Sequence, residues 1–294
     1  MRRRFATLDV FTMRRFTGNQ LAVVLDPDGL DTAAMQIIAR EFGHPETVFV
    51  FAPSAPAHRA RVRIFTPVRE LPFAGHPTVG TAVLLGLRDG AAPGTEIVLE
   101  EGIGPVRCTL EASGSGQGSA RFALAQLPAE AGAAPDNVTI AAALGIAPAE
   151  IGFDDFRPSR WSAGNPFTFV PIARLAAMAR CSPDLPGFGA AFGNGGAYLF
   201  CRETAEPGHA FHARMFGQAF GIREDPATGS AAAAFAGVLT AHLGNGTHTV
   251  PIEQGYEMGR PSLIKLAMTT QGGKLVSATI AGEAVVVTEG TIGA

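Results

Sequence analysis

Four polar side chains in this 294-residue chain stand where a strand or turn meets an apolar segment: Glu46, His76, Asp225 and Ser230. Carboxylate and imidazole groups take up and release protons, which is the chemistry of general acid–base catalysis. A serine at a helix start is more often a cap or an anion ligand than a nucleophile. These residue types therefore indicate proton transfer on, or binding of, a small anionic molecule.

His76 lies at the start of a predicted buried helix. Gly75 and Pro77 indicate a tight turn, and Thr78 to Leu87 is small or apolar on every side, which is typical of a helix enclosed in a core. The unpaired N–H groups and positive dipole end of such a helix favour a carboxylate or phosphate. Gly75 and His76 are therefore expected at an anion-binding position.

A second stretch, 220–239, has a similar order of turn, proline, glycine and apolar helix. Asp225 precedes Pro226 as His76 precedes Pro77, and Gly229 and Ser230 open an alanine-rich helix through Leu239. The pair suggests an internal duplication. If the two helix starts face each other, they can hold one anion between them. The alternative is that both are tight turns whose glycines and prolines serve the backbone alone.

Glu46 precedes the apolar strand 48–51, where partial burial would raise its pKa toward neutrality. Position alone, however, favours a solvated loop carboxylate. The neighbouring His44 is interpreted as a loop histidine.

The elements that must position these residues form a mixed α+β fold, with mostly antiparallel strands around two buried helices. Helices are predicted from Asp31 or Thr32 to Phe42 and over 138–144. Residues 112–119 are predicted to form a hairpin tip, and residues 129–137 are predicted to form a linker. Two lobes are expected, 1–128 and 129–294, and the last strand is free to cross back to the first lobe.

Composition excludes several functions. The net charge is −3, and no basic run exceeds Arg2-Arg3-Arg4, so nucleic acid is not an expected partner. No segment reaches the length and apolarity of a membrane span. Three scattered cysteines fit a reducing, cytoplasmic location. His209 and His212 are expected on opposite faces of a strand, which argues against a metal site, and Thr81 replaces the lysine that a phosphate loop requires.

Several segments together resemble the PhzF family of phenazine-biosynthesis-like isomerases, in one order along nearly the whole chain. The segments are Asp9–Thr12, Phe16–Val23, Glu46–Phe49, Phe65–Pro67, Glu70–Thr78, Glu224–Ala231, and Gln254-Gly255 with Met258–Ser262. The resemblance implies a diaminopimelate-epimerase-like fold of two similar lobes. Each lobe is a strand-rich half-barrel around a central helix, and the site lies in the cleft between them.

The resemblance also implies roles. Glu46 is the proton-shuttling carboxylate, and His76 and Asp225 complete the catalytic set. Substrate binding falls to Asn19, Gly75, Gly229 and Ser230. No metal, nucleotide or flavin cofactor is implied, and family members are commonly homodimers.

The leading interpretation is a cofactor-independent isomerase that moves a proton on a small carboxylate-bearing substrate through Glu46. One alternative is an amino-acid or hydroxy-acid racemase or epimerase. Related enzymes of that kind use one cysteine from each lobe, and neither the Gly75-His76 region nor the Asp225–Ser230 turn contains cysteine. The other alternative is a binding protein that holds a small carboxylate without catalysis.

Overall fold

The structure is a computed structural model that describes residues 1–193, 195–218 and 221–294. Phe220, at the start of the second predicted turn, lies outside the described residues. The chain divides into two compact units: Met1–Ala123 with Ala281–Ala294, and Leu124–Ile280.

The first unit is a strand-rich sheet with two long helices. Its helices are α1 (Thr32–Phe42) and α2 (Gly75–Asp89). Its strands are β1 (Arg2–Val10), β2 (Asn19–Val24), β3 (Glu46–Phe51), β4 (Ala60–Phe65), β5 (Glu70–Leu71), β6 (Glu96–Glu101), β7 (Gly104–Gly114) and β8 (Gln117–Ala123).

The second unit is also strand-rich. Its helices are α3 (Asn137–Leu144), α4 (Leu175–Met178), α5 (Phe188–Phe192) and α6 (Gly229–Thr240), and Pro148–Glu150 forms a 3₁₀ turn. Its strands are β9 (Ala129–Glu130), β10 (Ser159–Ser162), β11 (Pro166–Pro171), β12 (Gly196–Cys201), β13 (Phe211–Gly217), β14 (Ile222–Asp225), β15 (Gly246–Gln254) and β16 (Ser262–Gln271). The last strand, β17 (Lys274–Gly293), begins in this unit and ends in the first.

The two units repeat one order of elements. In the first, β3 runs parallel to β2, β4 is antiparallel to β3, β6 is parallel to β4, and α2 lies between β5 and β6. In the second, β12 is parallel to β11, β13 is antiparallel to β12, β15 is parallel to β13, and α6 lies between β14 and β15. The predicted internal duplication and α+β class are confirmed.

Both predicted buried helices are confirmed. Every residue of α2 from Gly75 to Gly86 is buried, and so is every residue of α6 from Ala231 to Leu239. Close packing requires glycine at particular helical positions. A Cβ at Gly80 would lie 2.6 Å from Leu21 Cδ2, and one at Gly237 would lie 2.8 Å from two atoms of the Trp161 ring.

Local sequence signals account for the other helix boundaries. Asp31 caps α1, since its carboxylate accepts a hydrogen bond from Ala34 N at 2.8 Å, and Gly43 ends the helix in the left-handed conformation. The predicted linker 129–137 is wrong in part: Ala129–Glu130 pairs with β10, and Asn137 already belongs to α3. The hairpin tip predicted within 112–119 is confirmed by the β7–β8 pairing.

Within the described residues, no helix combines the length and apolarity needed to cross a membrane. The cytoplasmic location that the cysteines predict stays a prediction, and so does the homodimer that the family resemblance implies.

Replacing Gly237 by alanine should destabilise the protein by about 1–3 kcal/mol, because the new methyl group overlaps the rigid Trp161 ring. Gly189 in α5 is the matched control, since nothing lies within 4 Å of a Cβ there. Gly189→Ala should be neutral or stabilise by about 0.5–1 kcal/mol. Chemical unfolding measures both variants, and equal stabilities would contradict the packing described for α6.

Candidate active site

Glu46 is buried, and it contacts His76. It is the first residue of β3, paired with Leu21 of the parallel strand β2, and only 7% of its surface is exposed. Glu46 Oε2 lies 3.1 Å from His76 Nε2. The solvated loop carboxylate that position alone favoured is therefore wrong.

His76 is held by contacts on both ring nitrogens. The Asn19 amide nitrogen lies 3.2 Å from Nδ1, and the Gln20 carbonyl oxygen lies 3.2 Å from Nε2. An amide nitrogen can only donate and a carbonyl can only accept, so the contacts select the tautomer with its proton on Nε2. That N–H donates to the Gln20 carbonyl, and Glu46 Oε2 lies 3.1 Å from the same nitrogen.

Burial also keeps His76 neutral. Loss of hydration lowers the pKa of His76 to about 3, although the hydrogen bond to the Gln20 carbonyl acts in the opposite direction. His76 therefore carries no charge at neutral pH. The neutral imidazole can orient a carboxylate without gaining or losing a proton itself.

Helix α2 begins at Gly75, so His76 lies inside the first helical turn, at the helix start where it was predicted. The residue before the helix, Ala74, offers no side-chain cap. The first backbone N–H groups of a helix have no intrahelical partner, and they attract anions. The predicted anion-binding position at Gly75 and His76 thus has the required backbone arrangement.

Asp225 belongs to a buried hydrogen-bonded group in the second unit. Its Oδ2 accepts a hydrogen bond from the Thr228 hydroxyl at 2.6 Å, and its backbone carbonyl accepts one from the Gln254 amide at 2.7 Å. Gln254 Oε1 in turn accepts from Thr228 N at 3.1 Å. This group fixes the turn that leads into α6.

Gly229 and Ser230 are the first two residues of α6, as predicted. Thr228 precedes them, and its hydroxyl does not cap the helix because it is bonded to Asp225. Sequence reasoning missed the roles of Thr228 and Gln254, which lie in segments that resemble the family. Gln20 contacts His76 through its backbone carbonyl, so its residue type gives no indication of this role.

The repeat shows that each carboxylate occurs in one unit only. Strand β12 begins at Gly196, which pairs with Phe167 of β11, just as β3 begins at Glu46, which pairs with Leu21 of β2. Gly196 is therefore equivalent to Glu46. When the first residues of α2 and α6 are aligned, Asp225 is equivalent to Leu71, and Ser230 is equivalent to His76. The sequence comparison of Asp225-Pro226 with His76-Pro77 was therefore wrong, because Pro226 corresponds to Pro72.

His209 and His212 share one carboxylate, although they were expected on opposite strand faces. Each Nδ1 lies 2.6 Å from an oxygen of the buried Glu253. His209 precedes β13, so strand alternation does not apply to it. Burial lowers the pKa of His212, but the hydrogen bonds that the ring donates to the Glu253 and Glu257 carboxylates outweigh burial and raise the pKa to about 9. Across the described ranges, no cluster of His, Cys, Asp and Glu is arranged to hold a metal ion.

The three cysteines are buried, and their thiols are poor proton carriers. Burial raises the pKa of Cys181 and of Cys201 to about 12, and it raises the pKa of Cys108 as well. Cys108 lies in β7 and Cys201 in β12, away from both helix starts in the sequence.

Residues 8–290 match the sequence profile of a family described as "Phenazine biosynthesis-like protein". The chain is similar to an uncharacterized isomerase of Mesorhizobium japonicum, with 49% identity over 99% of this chain and 98% of the relative. It is 33% identical to the trans-2,3-dihydro-3-hydroxyanthranilate isomerase of Pseudomonas chlororaphis, over 98% of each protein. The crystal structure of a Bacillus anthracis phenazine biosynthesis protein of the PhzF family superposes with a TM-score of 0.89, at 26% identity and with 100% of each chain covered.

We expect His76 to remain neutral, with its proton on Nε2, from pH 5 to pH 9. Long-range ¹H–¹⁵N NMR on protein labelled in histidine, with His76→Gln for assignment, reports the tautomer directly. Asn19→Asp should raise the pKa of His76, because a carboxylate beside Nδ1 favours the charged ring. A titration of His76 near pH 6.5 in the unmodified protein would contradict the buried, neutral state.

Proposed function

This chain belongs to the phenazine biosynthesis-like protein family and is an isomerase, and we propose that it moves a proton between two carbons of a small carboxylate-bearing substrate through Glu46. The observation that carries the proposal is the buried contact between Glu46 and the neutral His76, 3.1 Å apart, at the start of α2. No metal, nucleotide or flavin is part of the proposed reaction.

Glu46 is the proposed acid and base. A carboxylate that water does not surround is free to take a proton from carbon without first losing a hydration shell. The neutral His76 supports this role, because it lies 3.1 Å from the carboxylate and does not neutralise it. His76 is therefore proposed to orient Glu46, whereas the proton itself is carried by the carboxylate.

The proposed reaction has two proton transfers. Glu46 accepts a proton from one carbon of the substrate, and the electron pair of the broken C–H bond spreads into the adjoining double bonds. The protonated Glu46 then returns a proton to another carbon of the same system, and the carboxylate is restored. The product is an isomer, so no co-reactant is consumed.

The first turn of α2 is the proposed anchor for the substrate carboxylate. The N–H groups at Gly75 and His76 lie at an uncapped helix start, where the dipole adds about 0.3–1 kcal/mol to the binding of an anion. Asn19 completes the group through its contact with His76. Asp225, Gly229 and Ser230 stay predicted site residues, because α6 offers a second uncapped helix start. The interlobe cleft stays a prediction.

The proposed substrate class is a cyclic, amino-substituted carboxylate. The named activity of the Pseudomonas chlororaphis relative is on trans-2,3-dihydro-3-hydroxyanthranilate, and identity to it is 33% over 98% of both proteins. Such a compound carries both the carboxylate and the conjugated ring that the proposed proton shift needs.

Two features support a carboxylate mechanism over a thiol mechanism. Burial raises the pKa of all three cysteines well above the neutral range. The repeat also provides only one carboxylate at the Glu46 position, since Gly196 occupies it in the second unit. A single group that both removes and returns the proton is consistent with that asymmetry.

Glu46→Gln should lower the rate of isomerisation by about 10²–10⁴-fold, because an amide cannot carry the proton. The assay incubates the protein in D₂O with cyclic amino carboxylates, including trans-2,3-dihydro-3-hydroxyanthranilate, and follows deuterium at each carbon by NMR. Glu41→Gln is the matched control, since Glu41 is an exposed glutamate of α1 in the same unit, and it should keep full activity.

Deuterium that enters one carbon of one compound, and fails to enter with Glu46→Gln, is the expected result. Unchanged exchange in Glu46→Gln would reject the assigned role. A compound that binds tightly but never exchanges would favour a binding protein. Exchange that alkylation of the cysteines abolishes would favour a thiol-dependent racemase.

A further inference from the structure

Glu101 is a buried carboxyl group that the proposed proton transfer does not use. It is the last residue of β6, and 8% of its surface is exposed. Its Oε1 lies 2.8 Å from the hydroxyl of Thr78, in the first turns of α2. Glu101 therefore contacts the helix segment that carries Gly75 and His76.

The hydrogen bonds around Thr78 are compatible with a proton on Glu101. The Thr78 hydroxyl has one hydrogen and two oxygen partners, the Ala74 carbonyl at 2.8 Å and Glu101 Oε1 at 2.8 Å. The carbonyl also accepts a hydrogen bond from Thr78 N at 3.2 Å, so the hydroxyl hydrogen can go to either oxygen. When the hydroxyl donates to the carbonyl, a protonated Glu101 carboxyl can donate to the hydroxyl, and both contacts are then hydrogen bonds.

The surroundings of Glu101 offer its charged form little stabilisation. The other carboxyl oxygen, Oε2, is buried and has no hydrogen-bond partner within the described part of the chain. Burial raises the pKa of Glu101 to about 8, against the effect of the Thr78 hydrogen bond. The thiol of Cys108 on β7 faces the same region and is itself neutral, because its pKa is raised by burial.

The nearby charged groups are engaged elsewhere. Arg63 is paired with Glu70 at 2.6 Å, and Arg61 lies over the Phe51 ring at 4.8 Å. Glu100 accepts hydrogen bonds from two backbone N–H groups and contacts His58 Nδ1 at 2.9 Å. The charged groups that line one cavity of about 540 Å³ with Glu101 are Arg61, Arg63, Glu70 and Glu100.

The repeat supplies an independent argument, because the position of Glu101 in the second unit is held by Gln254. Arg61 of β4 pairs with Glu100 of β6, and His212 of β13 pairs with Glu253 of β15. The residues that follow these two glutamates, Glu101 and Gln254, are therefore equivalent. The register is supported by chemistry. Glu100 and Glu253 each accept two backbone N–H groups, and each contacts the Nδ1 atom of a histidine three or four residues beyond those groups, His58 for Glu100 and His209 for Glu253. Glu253 also contacts Nδ1 of His212.

Gln254 is a neutral amide, and it holds the start of α6 through Asp225 and Thr228. A protonated glutamic acid is nearly the same size as glutamine, and like glutamine it both donates and accepts hydrogen bonds. Glu101 thus occupies the place of a neutral residue that anchors the buried helix of its unit.

We propose that Glu101 is a positioning residue that acts in its neutral, protonated form, where its hydrogen bond to Thr78 fixes the first turn of α2 and the Gly75-His76 site on it. Its effect on activity rests on the proposed function, whereas its effect on stability does not. Ionisation of Glu101 places a charge between β6 and α2 without a cation, and the Thr78 hydroxyl must then turn from the Ala74 carbonyl to donate to the carboxylate. The position of His76 relative to Glu46 then changes.

The stability consequence has a definite sign. The pKa of Glu101 is raised to about 8 in the folded protein, from an ordinary value of 4.5. Between these values the unfolded chain has lost a proton that the folded protein keeps, so stability falls as pH rises. One group contributes about a tenfold loss in the folding constant per pH unit in that window, and nothing further above pH 8.

The test compares Glu101→Gln with Glu101→Ala in the full-length protein. Glutamine should preserve stability at pH 6 and remove the loss contributed by Glu101 between pH 5 and pH 8 in chemical unfolding. Activity of Glu101→Gln at pH 7 should lie within about threefold of the unmodified enzyme, and any decline of kcat near pH 8 should vanish. Alanine should lower both stability and kcat. Glu96→Gln, at the exposed start of the same strand, is the control and should follow the unmodified protein.

Two results would overturn the proposal. One is a pH dependence of unfolding that Glu101→Gln leaves unchanged, because Glu101 would then be ionised at neutral pH in the folded protein. The other is a loss with glutamine as large as with alanine, because a neutral isostere would then not replace the acid. Both are measured by unfolding, so they stand even if Glu46→Gln shows that the proposed reaction is wrong.

Discussion

The contact between Glu46 and His76 leaves the carboxylate suited to its proposed role as a base only because the imidazole is kept neutral in a buried place. A charged histidine would pair with the carboxylate and lower its affinity for a proton, and a solvated one would leave both ring nitrogens open to water. Three constraints prevent this: burial, the Asn19 amide at Nδ1 and the Gln20 carbonyl at Nε2. Two of these come from the first residues of β2, which the parallel register places beside the start of β3. The sheet therefore sets the proton state of the proposed site.

The internal repeat explains how the two units share a framework and differ in chemistry. Each encloses an alanine- or glycine-rich helix with an uncapped start, and each uses one strand-end residue against that start, Glu101 in the first unit and Gln254 in the second. The groups proposed to react do not repeat. Gly196 stands where the first unit has Glu46, and Leu71 stands where the second has Asp225. A duplicated scaffold with unduplicated carboxylates suits a reaction in which one group moves the proton.

Local sequence pattern was sufficient to predict the two buried helices and the ends of α1. The all-round apolar composition of α2 and α6 predicted their burial, and Asp31 and Gly43 predicted the ends of α1. Burial of Glu46 was not predictable in this way, because it depends on contacts with Leu21 and His76 that are distant in sequence. The family resemblance, not the position, pointed to Glu46. Glu101 gave no signal at all, since a glutamate ending a strand is usually solvated, and only its burial beside Thr78 and the match to Gln254 distinguish it.

The central claim is that one carboxylate both removes and returns the proton. The most direct test is a single turnover in ordinary water with a substrate deuterated at the carbon that loses its proton, followed by NMR and mass analysis of the product. A single buried Glu46 predicts that part of the deuterium appears at the new carbon, because the same group carries it there before exchange with water is complete. Complete loss of the label, together with undiminished removal of the deuteron from the substrate by Glu46→Gln, would contradict the claim and indicate that a group other than Glu46 removes the proton.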